Sequence, residues 1–448
     1  MTLTGPLVKS TIVAALGGLL FGFDTAVIAG TTAGLTRTFN LTASGLGLTV
    51  AAALVGTVVG SLLAGIPGDR YGRRDSLRVM AVLYLISALG CAVAWDWYSL
   101  VFFRFIGGLG IGGSSVLGPM YIAEIAPAKW RGRLVGFFQF NVVAGILLAY
   151  FSNYLIGLAA FGEEDWRWML GVSGIPALLF FLMLFAIPRS PRWLVQKSRI
   201  DEARTVLITI GEENVEEELQ DIVASIDVEH GLAQETLFQA KYRLPLFLAI
   251  SIAVFNQLSG INAILYYLND IFARAGFSKL SGDLQAVLIG FTNLVFTIIA
   301  MSIIDRAGRK TLLLIGSVVC AASLAGVAGV FLSGAHERWL VWMLVGFIGG
   351  FGFSQGAVIW VYISEVFPNR VRAQGQSLGS FTHWIMNAAI SWTFPIIASK
   401  SRGAPFVFFS AMMVLQFFVV LFLFPETKGV TLEEMQKRLG ARAAADVG

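Results

Sequence analysis

Charge is scarce in this chain. Asp, Glu, Lys and Arg make up 13% of 448 residues, against roughly 25% in a soluble domain. Together with 56% hydrophobic residues and a mean hydropathy of +0.75, that shortage excludes a single water-soluble core. Cysteine is almost absent. Cys91 and Cys320 both fall inside long apolar runs, which excludes a disulfide framework and any cysteine-based zinc spacing. Histidine occurs three times, at 230, 336 and 383. Only His383 lies in an apolar run, and no nucleophile–base–acid set converges on it, so nothing points to an enzyme or a metal centre. No phosphate-binding loop is present: GGLGIGG and GFIGGFGF read as small-residue surfaces for helix packing. The net charge of +4 is carried by loops and gives no reason to expect nucleic-acid binding.

What is present is a series of apolar windows long enough to cross a bilayer, about 20 residues each. Twelve spans are predicted, at 9–31, 45–67, 77–95, 98–121, 132–156, 167–187, 245–271, 284–304, 311–333, 339–362, 375–398 and 404–424. The first also serves as the insertion signal, since no separate cleavable leader precedes it. Lys and Arg concentrate in the loops after spans 2, 4, 8 and 10 (GDRYGRRDSLR, PAKWRGR, DRAGRKT, PNRVR), whereas the loop after span 5 is the acidic GEED. By the positive-inside rule the basic loops are cytoplasmic, which places both termini inside.

The chain also repeats itself. DRYGRR at 69–74 returns as DRAGRK at 305–310, Glu124 and Arg131 return as Glu365 and Arg372, and Pro188 returns as Pro425. The offsets agree to within five residues, so the expectation is two parallel six-helix halves, an architecture whose binding site lies between the halves. The predicted divisions are 1–188, a linker at 189–243, 244–425, and a tail at 426–448. The linker is the one strongly polar stretch. Its charges alternate with Leu, Ile and Val at helical spacing, which predicts short amphipathic helices packed under the bundle.

Several motifs occur in order: GDRYGRR, PMYIAEIAPAKWRGR, SPRWL, NQLSGINAILYY, DRAGRK, SEVFPNRVRAQG and PETKG. In these the chain resembles the sugar porter family of the major facilitator superfamily over essentially its full length. The likeness is to bacterial proton-coupled monosaccharide symporters and to facilitative glucose transporters. It implies an all-α membrane protein of twelve transmembrane helices in two halves with a cytoplasmic helical linker. It also implies transport by alternating access, an inner-membrane location and function as a monomer. The implied partners are a monosaccharide and the bilayer, with no cofactor beyond the coupling proton.

Two groups of polar residues inside the spans need an explanation. Asp24 sits in the middle of GLLFGFDTAVIAG, where a charged side chain costs about 2.5–3.5 kcal/mol on insertion scales and must face the bundle interior. Arg104 in span 4 is its natural partner. An aspartate whose proton affinity depends on contact with an arginine suits proton coupling; the alternatives are a static buried ion pair or an aspartate facing an aqueous cavity. Proton-coupled members resemble this chain in having Asp and Arg at these points, while facilitative members have a neutral residue for the Asp.

Sugars present hydroxyls, which call for amides, and C–H faces, which call for flat aromatics. Spans 5, 7, 8, 10 and 11 supply both. The resemblance assigns substrate contacts to Gln139, Gln257, Asn262, Asn293 and Trp360, and gating to Phe21, Tyr266 and Tyr267; Asn256, His383, Trp384 and Asn387 join the substrate candidates as polar and aromatic residues of the same spans. Gln257 and Asn262 would lie about 140° apart on a regular helix; Ser259-Gly260 between them is a predicted break that turns both one way. Asn256, Ile146 and His383 depart from residues common in the family, so the sugar is left open among hexoses, pentoses and cyclitols.

The loop motifs carry Asp69, Arg73, Glu124 and Arg131, repeated as Asp305, Arg309, Glu365 and Arg372. The aspartates are expected against helix N-termini and the glutamates against arginines of neighbouring loops. In the family such contacts form a cytoplasmic latch. One departure is Arg189 in PRSPR, where members usually carry an acid. The sequence-level reading is proton–monosaccharide symport; a proton-independent facilitator is the alternative, and a transporter-like sugar sensor a weaker one.

Overall fold

A computed structural model describes residues 3–231, 236–368, 370–430 and 434–435, with the side chains of 128, 227–231 and 305 left undescribed. Most of the tail predicted at 426–448 therefore lies outside the described residues. Among the described residues the secondary structure is helical, with no strand. Eleven helices among the described residues are long and apolar enough to cross a membrane.

The remaining predicted span, 375–398, is present as the 29-residue helix Arg372–Lys400 but falls outside that set. It carries Gln374, Gln376, His383 and Asn387, polar groups that lower its hydropathy. The protein is thus a multi-pass helical membrane protein.

Contacts divide the chain into two compact units, Met1–Phe39 with Ala52–Ala233, and Asn40–Ala51 with Gln234–Gly448. In the first unit, span 1 (Gly5–Val27) packs along span 5 (Ala128–Ala159). The approach is close because glycines face backbone: a Cβ added to Gly22 would lie 1.8 Å from the Val142 carbonyl oxygen, and one on Gly145 2.1 Å from that of Leu19. Small residues at such crossings replace hydrophobic driving force with backbone packing.

The polar stretch after span 6 forms the helices Pro191–Gln196, Ile200–Ile210 and Val215–Gly231. Their apolar edges, including Trp193, Leu207, Ile210 and Ile222, join the same core as Leu7, Leu77 and Tyr121 of the spans. Thr4 Oγ1 donates to the Ile210 carbonyl at 2.6 Å, so this segment is built into the first unit.

In the second unit, span 7 is broken as expected. Helix Arg243–Leu258 stops, Gly260 takes the left-handed conformation at φ +81°, and a new helix runs Ile261–Tyr266. Only glycine adopts that conformation without strain, and a Cβ there would also meet the Phe409 ring at 2.3 Å. Span 10 breaks too, at Ser354 (φ −119°, ψ −88°), between Leu340–Phe353 and Gln355–Val366. No glycine or proline occupies that position, which is why the sequence does not announce the break. There the Ser354 hydroxyl turns back to donate to the Gly350 carbonyl at 2.6 Å, on a close crossing with Gly316 of span 9.

Candidate functional site

Within the first unit, span 1 presents Asp24 to span 4 (Trp97–Ile125), and Arg104 Nη1 lies 3.1 Å from both carboxylate oxygens. The two side chains are 15% and 4% exposed. A fork contact would use two guanidinium nitrogens on two oxygens; here one nitrogen serves both. Arg104 Nε is buried and has no partner. The contact is therefore end-on, with donor capacity unused. Phe21 and Gln139 also belong to this unit and are half-buried, on spans 1 and 5.

The second unit gathers the amides around Gln257. Its Nε2 donates to Asn256 Oδ1 at 3.0 Å and faces the His383 ring nitrogens at 3.2 and 3.3 Å, while its Oε1 accepts from Asn262 Nδ2 at 3.0 Å. An amide N–H can donate only to an unprotonated imidazole nitrogen, so this arrangement needs one such nitrogen facing Gln257. The break at Gly260 is what lets Asn262 turn back to Gln257 across the 140° that a regular helix would impose.

Around this core, Trp360 and Trp384 flank the His383 ring with centroids 5.1 and 5.0 Å away. Trp360 is 38% exposed, whereas Gln257 is 1% exposed. Asn387 Nδ2 donates to the Tyr266 hydroxyl at 3.2 Å, and Tyr267 donates to the Ser391 carbonyl at 2.9 Å. Both tyrosines are buried. Asn293 is 8% exposed on span 8, and Gly352 of span 10 lies near its Oδ1. One buried group escaped the sequence reading. Gln355, the first residue after the span 10 break, accepts from Asn256 at 3.5 Å through its backbone carbonyl, and its side-chain oxygen is buried without a partner.

The loop residues pair within each unit. Arg73 Nε donates to Glu124 Oε1 at 2.9 Å, and Nη1 donates to the Gly68 carbonyl and to Asp69 Oδ1. Arg309 grips Glu365 with a fork, Nη2 to Oε1 at 2.8 Å and Nε to Oε2 at 3.1 Å. The expected placement of Asp69 is not found. It sits in the last turn of helix Gly65–Tyr71, 72% exposed, and bonds the Arg73 side chain rather than free backbone N–H groups. The Asp305 side chain lies outside the described residues.

The acid at a helix N-terminus is instead Glu426, which accepts from the backbone N–H groups of Arg309 and Lys310 at 2.9 and 3.0 Å. Arg131 is exposed and donates to the Ala126 carbonyl at 3.4 Å, and Arg372 keeps two guanidinium nitrogens buried without partners. Arg189 meets Asp75, a residue the motif reading passed over although it directly follows GRR.

Comparison with known proteins agrees with this architecture. A family model described as "Sugar (and other) transporter" matches residues 10–439. The chain is 36% identical to the D-xylose-proton symporter of Escherichia coli (strain K12), over 95% of this chain and 94% of that protein. It is 38% identical to the arabinose-proton symporter of Bacillus subtilis (strain 168), over 95% and 93%. A solved structure of the xylose transporter XylE from E. coli, in an inward open conformation, superposes with a TM-score of 0.86 at 35% identity, covering 96% of this chain and 99% of that one. The chain belongs to the sugar transporter family and has the major facilitator fold.

Proposed function

We propose that this protein is a symporter that carries one monosaccharide, a hexose or a pentose, together with a proton by alternating access. The observation that carries the reading is the end-on contact between Asp24 and Arg104. A carboxylate buried in a span persists there as an ion only while its partner stays. A proton on Asp24 cancels its charge, and the arginine, already held by one nitrogen, is then free to turn away. Loss of that proton to the other side of the membrane restores the pair. No further cofactor is required.

The amides of the second unit supply what a sugar needs. Gln257 spends its hydrogen bonds on Asn256, Asn262 and His383, and sugar hydroxyls, which both donate and accept, can replace these in place. Trp360, the more exposed aromatic beside them, offers a flat face to the sugar's C–H groups. The basic loops face the cytoplasm in this reading, so both termini are inside and the protein sits in the inner membrane as a monomer.

Uptake into proteoliposomes tests the proposal. Labelled glucose, galactose, xylose and arabinose are offered with and without an inward proton gradient, to wild type and Asp24→Asn. Accumulation driven by the gradient in wild type, lost in Asp24→Asn while sugar exchange persists, is the expected result. Equal final levels with and without the gradient would instead make the protein a facilitator.

A further inference from the structure

Three guanidinium groups share one carboxylate at the basic end of the first unit. Asp75 Oδ1 accepts from Arg74 at 3.0 Å and from Arg78 at 2.8 Å, and Asp75 Oδ2 lies 2.9 Å from Arg189 Nη2. The adjacent Arg199–Glu202 pair is neutral as a whole. The corner therefore holds two positive charges in excess.

The second unit does the opposite at the repeated position. There Pro425 is followed by Glu426, whose carboxylate caps the backbone of Arg309 and Lys310. In the first unit Pro188 is followed by Arg189, which adds a cation where its counterpart adds an anion.

The positive corner borders the apolar surface. The Arg78 guanidinium lies 4.0 Å from the Phe185 ring centroid and donates to the Leu184 carbonyl, and its Nε is buried without a partner. Phe185 and Leu182 are 57% and 56% exposed, and Val79 and Val82, the next turn of the Arg78 helix, are exposed as well. Outward-facing apolar side chains on a span meet hydrocarbon, so the guanidinia stand where acyl chains end and headgroups begin. Arg74, Arg78 and Arg189 keep 16%, 21% and 31% of their side chains accessible.

We infer that Arg74, Arg78 and Arg189 form a binding surface for the phosphate of an anionic phospholipid, whose acyl chains lie along Phe185, Leu182 and Val82. Guanidinium forks match phosphate oxygens, and Asp75 orients the three arginines without neutralising them. A lipid fits better than a soluble phosphate because the charged corner continues into an exposed apolar wall. The inference depends on the membrane spans and not on the sugar or the proton.

Delipidated protein in detergent is titrated with phosphatidylglycerol, with phosphatidylcholine of the same chains, and with inorganic phosphate. Bound lipid is counted by native mass spectrometry and the unfolding midpoint is followed in parallel. Wild type is expected to retain phosphatidylglycerol in preference to phosphatidylcholine and to ignore inorganic phosphate. Arg189→Gln removes one charge and should weaken phosphatidylglycerol binding about fivefold, and Arg189→Glu should weaken it further. Equal binding of the two lipids, unchanged affinity in Arg189→Gln, or the same stabilisation by inorganic phosphate would each overturn the inference. Should Arg189→Glu fail to fold, Arg78→Gln provides the second reading.

Discussion

Arg104 holds Asp24 by a single nitrogen, Nη1 lying 3.1 Å from each carboxylate oxygen while Nε stays buried and unpartnered. The second unit's Arg309 uses two nitrogens on the two oxygens of Glu365. The first geometry suits a contact that opens in every cycle; the second suits one that holds a loop.

Breaking the Asp24 pair from one side should be worse than removing both charges. Arg104→Ala strands a buried carboxylate and should cost about 3–5 kcal/mol of stability. Asp24→Asn combined with Arg104→Ala should recover most of that loss, read as unfolding midpoints of the purified variants. A double variant no more stable than Arg104→Ala alone would contradict the pairing.

His383 should act on sugar affinity through Gln257. His383→Phe removes the acceptor facing Gln257 Nε2 and leaves that amide with an unmet donor, at about 1–3 kcal/mol. Because sugar hydroxyls take over that donor on binding, the Michaelis constant for sugar should fall roughly tenfold, with His383→Gln restoring the wild-type value. Initial uptake rates across sugar concentration check this.

Gly260 should tolerate no side chain. At φ +81° an alanine is strained by about 1–2 kcal/mol, and its Cβ would press on Phe409. Gly260→Ala should therefore weaken sugar binding by displacing Asn262 from Gln257, which equilibrium binding of labelled sugar would detect.

Docking of helix Val215–Gly231 should weaken as pH rises. Burial, followed by the nearby Glu212, raises the Glu218 carboxyl above its usual range; Asp221 and Glu217 add to this and Arg131 opposes it. A group raised in the folded state stabilises when protonated, and that stability is lost as pH passes upward through its folded value. Glu218→Gln should abolish this trend above the ordinary carboxylate range near 4.5, measured as hydrogen exchange along that helix at stepped pH.

How much of this was legible in the sequence depends on the kind of signal. Apolar runs announced the spans because a bilayer demands unbroken hydrophobic length. Gly260 announced its break because glycine marks a positive φ. Ser354 did not, since its turn arises from a hydroxyl bond to Gly350 and a close crossing with Gly316, neither of which leaves a local mark. Asp24 and Arg104 could be paired in advance because each is the one charge in the interior of an apolar span. Asp75 could not be paired with Arg189, which lies 114 residues away and is one of several cations in reach. The polar residues of Arg372–Lys400 both identified a candidate site and weakened the hydropathy of the span that carries them.

The most direct measurement is proton movement itself. Proteoliposomes in weakly buffered medium, with no imposed gradient, are given a sugar that the uptake panel shows to be carried, and external pH is recorded. Symport predicts alkalinisation at the moment of sugar addition, abolished by a protonophore and absent in Asp24→Asn. Sugar entry with no change in external pH would contradict the account and leave Asp24 and Arg104 a fixed ion pair.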